Sequence, residues 1–407
     1  MDIYRESLAI EDYLIRCRRH IHEHPELSDR EDETVAFVMA ELAGMGIPCE
    51  HIARGGILAF IDSGKPGKSL LLRADMDALP IDEAPCNTKG PKSCLSQVPG
   101  AAHLCGHDAH TAMLLGAAKL LWQHRVEFEG RVILMFERGE EAGQGGMHLM
   151  RHIQKNRIHI DGGWAIHVFP DLPCGVLGLV SGAIFAGDFC WEACIVPDGE
   201  EGGDPAACAA GLINEINTIR MGRVSPFLPL TLSIGTLQYD GHACSLSGTV
   251  RMYDQVGAGL PAKRALLNIV KNTCAAYRCK AEPLFASWIE EGLLNDPTCC
   301  AIAREAVANA LGQAHVSHAE PTMLGETFTA ISSYYPSVMA LLGIRDEECG
   351  ITAPLHNPHF EANENALRYG TAAHVAYAFA FLSHKGPIPF QGFQGDFDAF
   401  LKHREME

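Results

Sequence analysis

The sequence predicts an α/β protein with a mixed, largely parallel sheet flanked by helices and with an inserted α+β domain. Three apolar runs, at residues 69–74, 131–136 and 164–166, lack the alternation of a half-exposed strand. Continuous apolar runs are typical of parallel strands covered by helices on both faces. Between about residues 185 and 290 the signals follow the order βαββαβ instead, which is that of a ferredoxin-like unit.

The length of the chain, 407 residues, exceeds the ~250–300 at which one hydrophobic core stops growing. We therefore expect two domains, one formed by residues 1–184 and 291–407 and an inserted one at residues 185–290. The net charge of −18 argues against nucleic acid or an anionic membrane as a partner. The 15 cysteines have no regular spacing, and the first residues lack the apolar core of a signal peptide, so we expect free thiols and a cytoplasmic location.

The individual elements follow from periodicity and from turn residues. Before the insertion the pattern predicts helices over residues 3–25 (stopped by Pro25), 31–45 and 112–122, and a strand over 57–62. Within the insertion it predicts strands over 189–196, 230–237, 243–253 and 280–287, and helices over 205–222 and 261–277. After it come helices over 296–311 and 363–383 and a strand over 337–342. The tail from residue 386 has no readable role.

Polar side chains follow the three apolar runs, at the point where each strand ends. Asp75 and Asp77 follow the first run, Glu140 and Glu141 the second, and His167 the third. Open α/β sheets place their sites at the carboxyl ends of their strands, so we expect these groups to lie together.

A cluster of possible metal ligands lies between the first two runs. Cys105 and His107 are two residues apart, and a thiolate with a neutral imidazole suits zinc and similar ions. His356 lies in a loop before the last helix. Adjacent glutamates could supply one ligand and one base, since neighbours on an extended chain point opposite ways. Taken alone, Cys105 could also be an ordinary buried thiol, and Glu140-Glu141 could also be part of a solvated acidic turn.

Together with the motifs around them, these residues resemble the dinuclear metallo-amidohydrolases, which include hippurate hydrolases, N-acyl-L-amino acid amidohydrolases and indole-acetyl-amino-acid hydrolases. The matching motifs occur in family order and cover nearly the whole catalytic portion. They are Arg18–Ser28, Arg73–Pro80, His103–Thr111, Glu140-Glu141 with Gly143, Gly145 and Gly146, Ile166-His167-Val168, and Pro354–Phe360.

The resemblance implies a zinc-peptidase-like catalytic domain, a ferredoxin-like lid that forms homodimers, and two divalent ions (Zn, Mn, Co or Ni) per subunit. It implies the metal ligands Cys105 (bridging), His107, Glu141, His167 and His356, with Glu140 as the general base that activates water. Asp77 would orient a ligand imidazole, and Asp75 belongs to the acidic motif behind the site. We interpret His22, His24, His103 and His110 as structural.

The implied reaction is hydrolysis of the amide bond of an N-acyl or N-aroyl amino acid, which releases a carboxylic acid and an amino acid. Arg251 matches the family and could bind a substrate carboxylate, although an exposed strand arginine is an equal alternative. A dipeptidase or aminopeptidase activity is a weaker alternative hypothesis for the function.

The lid departs from the family pattern. It lacks the usual histidine after its first strand, and no histidine lies between His167 and His242. His242, in a predicted turn, could substitute or could simply be solvated. Thr327 also stands where the family has Asp. A non-catalytic or weakly active metal-binding paralogue is therefore the alternative function.

Overall fold

The computed structural model describes residues 1–141 and 145–405, with side chains through Lys402. Gly143 of the predicted glutamate motif lies outside the described residues. The chain forms two compact units. The first comprises Met1–Gly182, Leu294–Glu320 and Ala330–Gln394, and the second comprises Ala183–Leu293, Pro321–Thr329 and the segment from Gly395 onward.

Helices and strands occur along the whole described chain. The helices are α1 (Ile3–Ala9), α2 (Glu11–Glu23), α3 (Asp32–Met45), α4 (His107–Gln123), α5 (Gly145–Lys155), α6 (Pro205–Asn217), α7 (Ile219–Gly222), α8 (Leu260–Ala276), α9 (Pro297–Leu311), α10 (Thr329–Ser332), α11 (Ala366–Ser383) and α12 (Phe397–Glu405). The strands are β1 (Cys49–Ile52), β2 (Gly56–Asp62), β3 (Ser69–Asp75), β4 (Arg131–Glu137), β5 (Gly162–Pro173), β6 (Leu177–Gly178), β7 (Gly182–Phe185), β8 (Gly187–Pro197), β9 (Leu230–Tyr239), β10 (Cys244–Met252), β11 (Cys279–Ala286), β12 (Leu293–Asn295), β13 (Val316–Ser317) and β14 (Ser337–Arg345).

The first unit is built on an eight-stranded mixed sheet in the order β1-β2-β4-β3-β5-β14-β6-β13. Its centre is parallel, because β3 pairs in parallel with both β4 and β5, and β14 pairs in parallel with β5. The antiparallel pairs β1–β2 and β2–β4 extend one side. Strand β3 is buried along its whole length, and α4 and α11 are largely buried as well. Burial on both faces explains the continuous apolar runs.

The second unit contains a four-stranded sheet in the order β11-β8-β10-β9, and all of its pairs are antiparallel. With α6 after the first strand and α8 after the third, the order along the chain is βαββαβ. This unit has a hydrophobic core of its own, centred on Phe189, Trp191, Leu212 and Leu266.

The predicted fold class is confirmed, and the local errors have physical reasons. The helix expected over residues 3–25 is divided at Ile10, whose backbone leaves the helical region (φ −107°, ψ 15°). The helix expected over 205–222 is divided at Thr218, whose hydroxyl donates to the carbonyl of Glu215 at 2.6 Å. Strands β1, β6, β7, β12 and β13 were not predicted, because runs of 2–4 residues carry no readable alternation.

Across residues 1–141 and 145–405, no helix combines the length and the apolar character that a membrane span requires.

A buried ionic network joins α2 to the start of α4. Arg18 donates to the Asp108 carboxylate at 2.8 Å, and the His22 ring lies 2.9 Å from the same oxygen. The other ring nitrogen of His22 lies 3.1 Å from Glu83, which also accepts from Lys92 at 2.8 Å. Burial opposes the charge on Glu83, but the hydrogen bonds from His22 and Lys92 lower its pKa to about 2. The network therefore holds ionised groups inside the unit.

We predict that Glu83→Gln lowers the midpoint of thermal unfolding by roughly 5 °C or more at pH 7, because it removes the carboxylate charge that pairs with the buried side chains of His22 and Lys92. The folded pKa of Glu83 lies below its unfolded value, so this stabilisation is present above the unfolded pKa and is lost as the pH falls toward about 2. The difference from wild type should therefore shrink in acid. Thermal scans at pH 7 and pH 3.5 test this, with Glu33→Gln, an exposed glutamate of α3, as the control. An equal difference at both pH values would contradict it.

Candidate metal centre

Parallel pairing of three neighbouring strands brings the predicted groups together. Strand β3 lies between β4 and β5, and all three run in the same direction. Asp75 ends β3, Glu140 and Glu141 follow the end of β4, and His167 lies within β5. Carboxyl ends of parallel strands share one edge of the sheet, so residues far apart in sequence meet there.

A tight turn at the start of α4 presents Cys105 and His107. Gly106 adopts φ +90°, and a Cβ added there would lie 2.3 Å from a methyl carbon of Val168. Only glycine meets both conditions without strain. The turn lets the thiol and the imidazole reach the same region from the two sides of one residue.

His356 reaches the same region from the loop before α11. Its backbone has φ +60°, which is uncommon for a residue with a side chain. Its amide donates to the carbonyl of Leu104 at 2.9 Å, and its Nε2 lies 3.3 Å from Cys105 Sγ. The loop is thus held in a strained conformation that directs the imidazole to the thiol.

The structure brings all five predicted ligands and Glu140 together. Ligand atoms lie within 4.8 Å of one another in three groups, namely Cys105 with His107 and His167, Cys105 with Glu141 and His356, and His107 with Glu140 and Glu141. Cys105, His107 and His167 are buried, whereas the two glutamates are half-buried and His356 is exposed. The cluster therefore has a closed floor and a side that faces solvent.

Asp77 contacts two of these groups at once. Its Oδ1 lies 3.1 Å from Nδ1 of His107, and its Oδ2 accepts from the backbone N–H of Glu141 at 3.0 Å. Ser28 also donates to Oδ2 at 2.7 Å. With Nδ1 bound to Asp77, Nε2 of His107 is the nitrogen directed at the cluster.

Asp75 lies in the same region but is occupied by other partners. Its Oδ1 lies 2.6 Å from His110 Nδ1, and its Oδ2 accepts from Arg73 at 2.7 Å. Burial opposes ionisation, yet the charges of His107, Arg73 and His110 hold the pKa of Asp75 well below its usual range. Asp75, His107 and His110 are close enough to hold a metal ion, but the Asp75 oxygens are already used.

Burial and neighbouring charges together shift the pKa values of the floor residues Cys105, His107 and His167. It raises the pKa of the Cys105 thiol well above its usual value. Burial would lower the pKa of His107, but Asp75 and Cys105 raise it well above the usual range. Burial and His110 hold the pKa of His167 well below the usual range, so this imidazole is neutral and its lone pair is available.

The donor set fits a divalent metal. His107 Nε2 and Glu141 Oε1 are buried, lie 3.9 Å apart, and have no hydrogen-bond partner within the described part of the chain. Buried polar atoms without partners are costly and uncommon in folded proteins. These two atoms belong to a set of thiol, imidazole and carboxylate groups, and such groups are the ligands that zinc and other first-row ions bind.

The predicted substrate-binding residues lie in the second unit. Arg251, on β10, donates to the carbonyl of Met323 at 2.6 Å and lies 3.7 Å from the carboxylate of Asp188. Burial raises the pKa of Asp188, and Arg251 opposes that rise. His242 is exposed in the turn before β10, where its amide donates to Asp240.

Sequence reasoning missed the contacts of His110 and of Asp77 with backbone groups. His110 lies one helical turn after His107 on α4, so the two imidazoles share a face, and that spacing was a usable signal. The bond from the Glu141 amide to Asp77 had no such signal, because it depends on where the chain turns after β4.

The carboxyl edge of this α/β sheet brings together sulfur, nitrogen and oxygen donors, and two of these donor atoms are buried without a hydrogen-bond partner among the described residues. This is the arrangement of a metal-dependent hydrolase. Residues 71–380 match the family described as Peptidase family M20/M25/M40, and the chain belongs to this family.

Three relatives show how far the similarity extends. The chain is 32% identical over 387 residues to the IAA-amino acid hydrolase ILR1-like 6 of Arabidopsis thaliana, covering 92% of this chain and 81% of the relative. It is 31% identical to the N-acetyl-L-cysteine deacetylase of Bacillus subtilis, covering 88% and 86%. The crystal structure of a Bacillus subtilis dinuclear metal binding peptidase from the M20 family superposes with a TM-score of 0.77 at 28% identity, covering 92% and 99%.

We predict that Mn²⁺ or Zn²⁺ added to chelator-treated protein raises the midpoint of thermal unfolding, because an ion bound only by the folded chain stabilises it by roughly 2.7 kcal/mol at 100 times its Kd. Cys105→Ala should lose most of this shift. Cys300→Ala removes another buried thiol, on α9, and should keep it. Differential scanning fluorimetry over a metal titration measures the shifts. Equal shifts in both variants would contradict a centre at Cys105.

Proposed function

We propose that this protein is a metal-dependent amidohydrolase that cleaves the amide bond of N-acyl or N-aroyl amino acids into a carboxylic acid and an amino acid. The observation that carries the proposal is the convergence of five S, N and O donors, two of which, His107 Nε2 and Glu141 Oε1, are buried without a hydrogen-bond partner in the described part of the chain. Family membership supports the reaction class, and two relatives are named for hydrolysis of an IAA-amino acid and for deacetylation of N-acetyl-L-cysteine.

Cys105, His107, Glu141, His167 and His356 would hold two divalent ions. Cys105 belongs to two of the close groups, one with His167 and one with His356, which supports a bridging thiolate. Mixed donors of this kind accept Zn, Mn, Co or Ni, and metal availability decides between them. Asp77 would fix the ring of His107 and the backbone of Glu141 through its two oxygens.

When bound, the divalent ions would polarise the amide carbonyl and lower the pKa of water. Glu140 is half-buried, and a carboxylate oxygen of it lies within 4.8 Å of the ligand atoms of His107 and Glu141. From this position Glu140 takes the proton from the attacking water and then gives it to the departing amine nitrogen. Because the solvent-facing side of the cluster carries the glutamates and His356, substrate enters from there.

The residues that recognise the substrate belong to the second unit in this proposal. Arg251 is half-buried, and its guanidinium has a backbone carbonyl as its closest partner and Asp188 at 3.7 Å. It would bind the carboxylate of the amino acid as a fork donor. His242, exposed in its turn, would take the place of the missing lid histidine.

We predict that Glu140→Gln lowers turnover about 10²–10⁴-fold while metal content stays at the wild-type level, because the variant keeps the ligands and loses the proton carrier. The assay uses manganese- or zinc-loaded protein with N-acetyl, N-benzoyl and indole-acetyl amino acids, and metal content is measured by mass spectrometry. Glu348→Gln, an exposed glutamate, is the control.

Wild-type turnover in Glu140→Gln would refute this mechanism. Tight binding of these substrates by metal-loaded wild type, without product over hours, would favour the weakly active alternative. Hydrolysis restricted to substrates with a free α-amino group would favour a dipeptidase or aminopeptidase.

We also propose a homodimer formed through the second unit. Strand β9 is an edge of its sheet, and an unpaired edge can pair with another copy. Large apolar side chains there are open to solvent, with Leu237 at 53%, Tyr239 at 52% and Phe227, just before the strand, at 91% exposure. Exposed apolar groups concentrated on one edge are typical of an interface.

The cytoplasmic location stays a prediction.

We predict that the wild type has twice the chain mass of 44.1 kDa in solution and that the double change Phe227→Lys and Leu237→Lys yields monomers, because buried lysines repel across a symmetric interface. Val256→Lys changes another exposed apolar residue of the second unit and should remain dimeric. Light scattering coupled to gel filtration measures the masses. A monomeric wild type would contradict the dimer.

A further inference from the structure

We propose that His110 is a positioning residue that holds the candidate ligand His167 in place through the backbone of Val168. This inference rests on the proposed function, because it assigns His110 a part in supporting a metal ligand. It replaces the interpretation of His110 as merely structural.

The need for His110 arises where a strand pair ends. Strand β3 pairs with β5 only as far as Arg73 opposite Ala165, whereas β5 continues to Pro173. After Ala165 no described residue of β3 lies opposite β5 in this register. The N–H of Val168 donates to Nε2 of His110 at 2.8 Å, so a side chain from α4 takes the place of the missing strand.

The next contact transfers this support to His167. Nδ1 of His167 donates to the carbonyl of Val168 at 2.7 Å, and its Nε2 lies 3.6 Å from Cys105 Sγ. Val168 thus has its N–H held by His110 and its carbonyl bound to the ring of His167. Movement of this backbone would turn the imidazole away from the cluster.

The second ring nitrogen of His110, Nδ1, is held by a series of hydrogen bonds among buried charged side chains. A backbone N–H can only donate, so Nε2 of His110 is the acceptor and Nδ1 carries the proton, which it donates to Asp75 at 2.6 Å. Asp75 accepts from Arg73 at 2.7 Å, and Arg73 donates to Glu137 at 2.7 Å. All four residues are at most 1% exposed.

These contacts exclude His110 as a ligand, although it is close enough to His107 and Asp75 to form a metal-binding group. Both of its ring nitrogens have partners at 2.6–2.8 Å. Its contribution therefore passes through Val168 to His167. Residues that orient metal ligands in this way typically affect metal affinity about 10–100-fold when changed.

Two substitutions separate the positioning role from a packing role. His110→Gln places an amide oxygen near the position of Nε2 and keeps an acceptor for Val168. His110→Asn places an amide nitrogen near the position of Nδ1, keeps the contact with Asp75, and leaves the Val168 N–H unpaired. Metal-free protein is titrated with Co²⁺, and binding is followed by calorimetry and by the visible absorption of cobalt.

The wild type should bind two ions. His110→Asn should weaken one of them about 10–100-fold and leave the other, because a single imidazole nitrogen binds one ion. His110→Gln should stay within a few-fold of wild type. His374→Asn removes another buried imidazole, on α11, and should bind both ions normally.

Equal binding by the Asn and Gln variants, or wild-type binding by both, would overturn the positioning role. Absence of any binding by wild type would instead refute the proposed function. The retained ion and the circular dichroism spectrum report whether the Asn variant is folded. Should it not fold, His110→Ser, whose hydroxyl is too short to reach Val168, is held to the same expectation, and wild-type binding by it would overturn the role.

Discussion

Parallel pairing of β4, β3 and β5 is the constraint on which the candidate site depends. Because the three strands end at one edge, groups separated by up to 92 positions, from Asp75 to His167, lie in one place. Parallel strands need buried crossovers, which explains why α4 is almost entirely apolar after its first turn. The same helix begins with His107, so packing and ligand placement use one element.

Around this edge, each acidic residue has a different task because each has different neighbours. Asp75 is completely buried and bound to Arg73 and His110, whereas Asp77 bridges His107 and the Glu141 backbone. Buried charges are stable only when they are paired, so these contacts hold both carboxylates in fixed positions within the fold. Within the ligand cluster, by contrast, His107 Nε2 and Glu141 Oε1 are buried and have no hydrogen-bond partner among the described residues.

Much of the fold and the cluster could be predicted from the sequence. The buried strands were visible as apolar runs, and the strand-end residues followed from a general property of α/β sheets. The role of His110 was not visible. It depends on the point where β3 stops pairing with β5, and that register is set by three-dimensional packing rather than by any local pattern. The strained backbone of His356 likewise depends on its bond to Leu104, 252 positions earlier.

The sequence by itself predicted the fold class, because periodicity is a local property of the chain, and its motifs, through their resemblance to a known family, implied the family and the candidate donor residues. Only the tertiary structure decided which donors meet and which are already occupied. Asp75 and His110 have the chemistry of ligands, yet they are bound to each other, while His107 and Glu141 each retain a buried atom that has no hydrogen-bond partner within the described residues. The reason is physical: a side chain's availability depends on the partners that folding brings to it, and a sequence shows the side chain without them.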